Sequence, residues 1–234
     1  MHTDRIDFIS AYCDSWCERC GFTSRCSAFA VQAALGMCGD GGGALELAVG
    51  LPAPVEAAPR DQVFTAHVER AEPSDRELRE RIGHDTMRFA RIQATPMMKN
   101  ANAIAALAHA CLSSVLSAGQ VQDDKVLVEA LEVARWDSTV VGAKLARALS
   151  GRDRQDEDGD SNEDRVQNDW NGSAKVALIS IDRSVDAWEV IAQATGDVAA
   201  VGLALALDDL RRLVEQEFPS ARRFVRPGFD EPYC

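Results

Sequence analysis

Aromatic residues are scarce, at 6% of 234 residues with only two tyrosines. Pleated sheets favour aromatic and β-branched side chains, so this scarcity, beside abundant Ala and Leu, points to helices. Histidine is also rare: His2, His67, His84 and His109 are the full set. No Glu-x-x-His pair occurs, so the usual signature of a di-metal carboxylate bundle is missing. No P-loop, G-x-G-x-x-G or G-x-S-x-G is present either. Long apolar runs are lacking. No stretch approaches the roughly 18 apolar residues that a membrane helix needs. Asp4, Asp7, Asp14 and Glu18 interrupt the segment where a secretory signal would carry its apolar core. The expectation is a soluble, cytoplasmic protein with no membrane partner. Positive charge is in short supply, with 25 Lys and Arg against 37 Asp and Glu, a net charge of -12. Such a surface repels phosphate backbones, which argues against nucleic acid as a partner. Arg222, Arg223 and Arg226 form the one dense basic cluster.

What is present is mostly helical pattern. The spacing of Ile6, Ile9 and Cys13 predicts a helix over 3–20, and a second short helix follows at about 26–37. Residues 39–73 hold Gly39, Gly41, Gly42, Gly43, Pro52, Pro54, Pro59 and Pro73, which predicts an extended connection. Ser74 followed by Glu77 has the form of a capping box, opening helical sequence that runs to Ala118 with a break at Pro96. Leu127, Leu131, Ala134, Val141, Leu145 and Leu149 give the longest regular helix, at 122–149 and expected to end at Gly151. Residues 151–170, with eight Asp and Glu, read as a mobile acidic loop. Further helices are predicted at 173–194, capped by Asn171, and at 202–217. The fold class is therefore all-α. A cysteine-rich helical segment at 1–38 precedes the connection at 39–73, and a helix bundle fills 74–234.

Four of the seven cysteines, Cys13, Cys17, Cys20 and Cys26, fall within 14 residues as C-x3-C-x2-C-x5-C. In a reducing compartment such clustering points to metal ligation. The plain alternative is a row of small buried hydrophobes. On a helix, Cys13 and Cys17 would be one turn apart, about 5–6 Å between Cβ atoms. That suits the wide cube of a [4Fe-4S] cluster, whereas zinc draws four sulfurs into a tighter tetrahedron. Trp16, Phe22 and Phe29 would supply an apolar shell.

The run Cys17-Glu-Arg-Cys20-Gly-Phe-Thr-Ser-Arg-Cys26 resembles half of the [4Fe-4S] loop of the endonuclease III family of DNA glycosylases. The first spacing departs from that family, and no helix-hairpin-helix is visible, so the glycosylase activity does not carry over. C-x3-C-x2-C also resembles the radical S-adenosylmethionine motif. There Arg19 stands where an aromatic is usual, and no strand–helix alternation suits a barrel. Three segments together resemble a family of uncharacterised bacterial helical proteins. They are Cys17–Cys20, the run from Asn171 through Ser184, and Ala221 through Asp230. This resemblance implies a bacterial source and supplies no activity.

Other candidates are weaker. His109, Glu132, Asp137 and Asp182 lie on the strongest helices, and Glu132, Asp182 and His109 are the candidates for a bundle-core carboxylate metalloenzyme. Asp158, Asp160, Asn162 and Asp169 imitate a calcium loop, but Glu163 occupies the place that needs glycine. Asn171, Gly172 and Ser173 offer helix N-terminal amides beside Lys175, an anion site in form, with Arg222, Arg223 and Arg226 as a charged wall. Cys111 reads as core, and Cys38 and Cys234 stand alone. The leading expectation is a metal-binding protein with a [4Fe-4S] cluster on Cys13, Cys17, Cys20 and Cys26, serving redox sensing or electron transfer to a partner protein. Structural zinc on a helical interaction module is the alternative.

Overall fold

The computed structural model describes residues 5–38, 74–117, 124–158 and 164–231. The expected connection at 39–73 lies outside them. Among the described residues there are six α-helices and no strand. The helices are α1 (Ser27–Cys38), α2 (Asp75–Gln93), α3 (Pro96–Ser117), α4 (Lys125–Asp158), α5 (Asp169–Thr195) and α6 (Val198–Glu217). None is long and apolar enough to cross a membrane.

Local chemistry sets most helix ends. The Ser74–Glu77 capping box forms: the Ser74 amide donates to Glu77 Oε2 at 2.7 Å, and the Glu77 amide donates to Ser74 Oγ at 3.3 Å. Thr95 caps α3 through its Oγ1, and Pro96 takes the first helical position, where a missing amide costs nothing. Asp124 Oδ1 accepts from the amides of Val126 and Leu127 to open α4. Gly196, at φ 70°, ends α5 in the left-handed conformation, and Asp197 starts α6 at once.

The last helix begins at Val198 rather than 202, because Asp197 caps it, and three further expectations need correction. The helix expected over 3–20 does not form among its described residues, 5–20; they hold two short 3-10 turns, Ile9–Tyr12 and Cys17–Arg19. Phe8 and Ser15 both sit at φ 60°, a conformation incompatible with a continuous α-helix. The helix predicted to stop at Gly151 runs on to Asp158, so 151–158 are not loop. Tertiary contacts outweigh the low propensity of glycine there: Arg152 bonds to Glu217 and stacks on Phe218, while Asp153 pairs with Arg88 and Arg91. Finally, α5 begins at Asp169, four residues ahead of the expected start, because Asn168 rather than Asn171 is its cap.

The chain divides into two units. Among the described residues, the first holds 5–10, 15–38 and 74–87, and the second holds 11–14 and 88–231. In the first unit, Ile9 and Ala34 are the only buried hydrophobic residues described. Ala34 packs with Ala30 and Val31.

The second unit is a four-helix bundle. The longest interface joins α4 to α5; α5 packs on α6, and α3 touches both α4 and α6, closing the ring. Arg147 pairs with Asp169, and Arg183 with Asp137, so α4 and α5 run antiparallel. Leu145, Leu178, Ile181, Trp188, Ile191, Leu210 and Val214 fill the centre with almost no exposure. Each such side chain contributes about 1.5–3 kcal/mol of burial.

Candidate metal centre

Three of the four motif cysteines lie in the first unit, on turns rather than on a helix. Cys17 opens the 3-10 turn that ends at Arg19, and the Cys20 amide donates to the Cys17 carbonyl at 3.2 Å. Gly21 follows, and the Phe22 amide then donates to Cys20 Sγ at 3.4 Å. The pattern repeats one step on. The turn Thr23–Arg25 ends in the Cys26 amide bonding to the Thr23 carbonyl, and the Phe29 amide donates to Cys26 Sγ at 3.4 Å. The Ile6 amide donates to the Arg25 carbonyl at 3.2 Å and ties the start of the segment to its end. All four motif cysteines are half-buried. Arg19 stacks on Trp16 with its guanidinium carbon 4.0 Å from the ring centroid.

The loss of the predicted helix alters the spacing argument. Cys13 and Cys17 are not successive positions on one helical face, so their separation no longer favours a wide cube over a single ion. Among the described residues, no three His, Cys, Asp or Glu side chains converge closely enough to hold an ion. The donor set nonetheless suits a soft metal: four sulfurs, two of them already accepting amide hydrogen bonds, with aromatic neighbours in the same stretch of chain.

Cys13 belongs to the second unit, in a four-residue strap that the bundle grips closely. The Ala11 carbonyl accepts from Lys144 Nζ at 3.4 Å and from Arg147 at 3.2 Å. The Tyr12 ring packs on Phe224, 4.7 Å between centroids, over the first turn of α5. Gly172 makes that approach possible: a Cβ there would lie 2.7 Å from Phe224 Cζ and closer still to the Tyr12 ring. The Asp14 carbonyl accepts from Trp136 Nε1 at 3.1 Å, and its carboxylate pairs with Arg183 at 2.9 Å. Burial pushes the Lys144 ammonium below its ordinary pKa, opposed by the nearby Cys13, Asp14 and Asp169.

Arg183 reaches past Asp14 into the bundle. Its Nε and Nη2 grip Asp137 at 3.0 and 2.5 Å, and Asp137 is fully buried. Burial pushes the Asp137 carboxyl up, while Arg183 and the adjacent Ser180 hydroxyl favour its charged form. Asp137 also borders a small cavity among α3, α4, α5 and α6, lined by Ile104, Ala108, Ser184, Trp188 and Leu207 and with room for about one water molecule.

The remaining candidates disperse. His109 and Glu132 are exposed, and Asp182 is half-buried in ion pairs with Arg222 and Arg211. Of the carboxylates singled out from the sequence, Asp137 is the one turned into the bundle. The anion site expected at Asn171, Gly172 and Ser173 is not open: the Asn171 and Gly172 amides bond to Asn168, and all three residues are buried. Lys175 donates to the Phe224 carbonyl at 2.5 Å and pairs with Asp230 at 2.6 Å. The basic cluster is spent on internal pairs, Arg222 with Asp182 and Glu215 and Arg226 with Asp230, while Arg223 bonds to Ser220. Of the calcium-like set, Asp169 is bound by Arg147, and Asp160, Asn162 and Glu163 lie outside the described residues. Cys111 is buried beside Asp197, 3.4 Å away, and burial with that carboxylate pushes its thiol up to about 11.

The strap at 11–14 and the pairing of Asp137 with Arg183 were not expected from the sequence. A signal was there: the apolar stripe steps from Ala134 directly to Val141, and Asp137 fills the skipped core position. No family model matches the chain, and no curated protein or solved structure is significantly similar to it.

Proposed function

We propose that Cys13, Cys17, Cys20 and Cys26 hold a [4Fe-4S] cluster, and that the protein senses redox state or passes electrons to a partner protein. The observation that carries the metal reading is the pair of backbone amides, Phe22 and Phe29, that donate to the sulfurs of Cys20 and Cys26. Among the described residues of the first unit, Ile9 and Ala34 are the buried hydrophobic residues. Metal ligation supplies folding free energy to segments of this kind. Cys13 joins the set on its spacing in the sequence. When bound, the cluster supplies one-electron exchange; the chain's own part is to hold the sulfurs, aim amides at them and limit water.

Zinc is the second reading, and one observation favours it. Cys17 and Cys20 bracket a single tight 3-10 turn, which suits two ligands of one small ion. Anaerobic purification without added metal, with an absorption spectrum and elemental analysis of the same sample, separates the two. A brown protein with about four irons and four sulfides per chain, bleached by dithionite, supports the cluster. A colourless protein with about one zinc per chain replaces it with structural zinc. A protein with neither metal removes both.

A further inference from the structure

The Asp137–Arg183 pair is an expensive way to pack a bundle. A fully buried carboxylate and its arginine cost desolvation that an apolar pair would avoid, so their presence calls for a second use. Arg183 connects the buried Asp137 to Asp14, the residue after Cys13. The two-point grip on Asp137 fixes the plane of the guanidinium, and Nη2 is thereby aimed at the Asp14 carboxylate. Asp14 is held a second time through its carbonyl by Trp136, and Ala11, two residues before Cys13, is held by Lys144 and Arg147. Cys13 is thus clamped on both sides by side chains of α4 and α5. The backbone on either side of Cys13 is thereby held by the bundle.

We propose that Arg183 is a positioning residue for Cys13: braced by the buried Asp137 and acting through Asp14, it holds the first motif cysteine in place for ligation. This rests on the thiolate-site reading above.

The test uses the full chain in four forms: wild type, Asp14→Asn, Arg183→Met and, as a control, Arg222→Met, which breaks a comparable arginine grip elsewhere on the bundle. Asp14→Asn leaves the buried pair intact and keeps the test valid should Arg183→Met fail to fold. The first readout is the rate at which metal-loaded protein loses iron or zinc to excess chelator. The expected result is about a tenfold faster loss for Asp14→Asn and Arg183→Met, no further gain when the two are combined, and no change for the control. The second readout is made on metal-free protein: the iodoacetamide alkylation rate of Cys13 relative to Cys26, followed by mass spectrometry. The Cys13 to Cys26 ratio is expected to rise several-fold in both strap variants and to stay at the wild-type value in the control. An unchanged ratio in Asp14→Asn overturns the proposal. Wild-type protein that binds no metal overturns the thiolate-site reading alone, since the alkylation ratio still decides whether Arg183 positions Cys13.

Discussion

The two units reach order by different means. In the bundle, Leu145, Leu178, Ile181 and Trp188 are sealed from water, and the helices hold one another by burial. The first unit has short turns, amides aimed at sulfur, and two buried hydrophobic residues among those described. The bundle needs nothing from outside to explain its fold. The cysteine turns, in the function proposed above, take part of their order from a bound metal. Stability and function are therefore expected to separate: changes in the bundle core cost folding, and changes in the turns cost metal.

The sharpest test of that contrast is Cys20→Ala. It is expected to abolish stoichiometric metal binding and the order of residues 15–38 while leaving the melting of the bundle nearly unchanged. Elemental analysis and calorimetry read the two effects separately. Leu145→Ala tests the other side. Leu145 is fully buried, so its truncation should cost the bundle about 2–5 kcal/mol by chemical denaturation, with metal content retained at low denaturant. Gly172→Ala comes next. The added methyl would collide with the Tyr12 and Phe224 rings, lifting the strap or shifting α5 at a cost of about 1–3 kcal/mol. Asp230 gives the smallest effect. Burial alone would raise its carboxyl, but Arg226 and Lys175 overcome this and hold it at about 2. Because the folded pKa lies below the unfolded value of about 3.9, this contribution is complete above that value and fades as pH falls toward 2. Acid melting curves of wild type and Asp230→Asn should differ at neutral pH and converge at the acid end of that window.

Much of the bundle was legible in the sequence because its information is local. Ser74 with Glu77, Pro96, Asp124 and the stripe from Leu127 to Leu149 each act through neighbours a few residues away. What escaped depends on distant residues. Gly151 looked like a helix end, yet Arg152 and Asp153 are held by Glu217 of α6 and by Arg88 and Arg91 of α2. The helix expected over 3–20 had acceptable periodicity, but Tyr12 is drawn onto Phe224 and Asp14 onto Arg183. Asp137 is the clearest example: a carboxylate in a core slot becomes intelligible only once Arg183 and Asp14 are seen beside it. For the candidate metal site, the sulfurs were visible in the sequence, and the turns and amides around them only in the structure.

Hydrogen exchange before and after chelator stripping of the purified protein tests the central claim most directly. If a metal orders the cysteine turns, the amides of Phe22 and Phe29, which donate to Cys20 and Cys26, should be protected in the loaded protein and should exchange at least about tenfold faster once stripped, while amides in the middle of α5 hold their protection. Equal exchange at Phe22 and Phe29 in both states would contradict it, leaving the cysteine turns ordered by something other than metal.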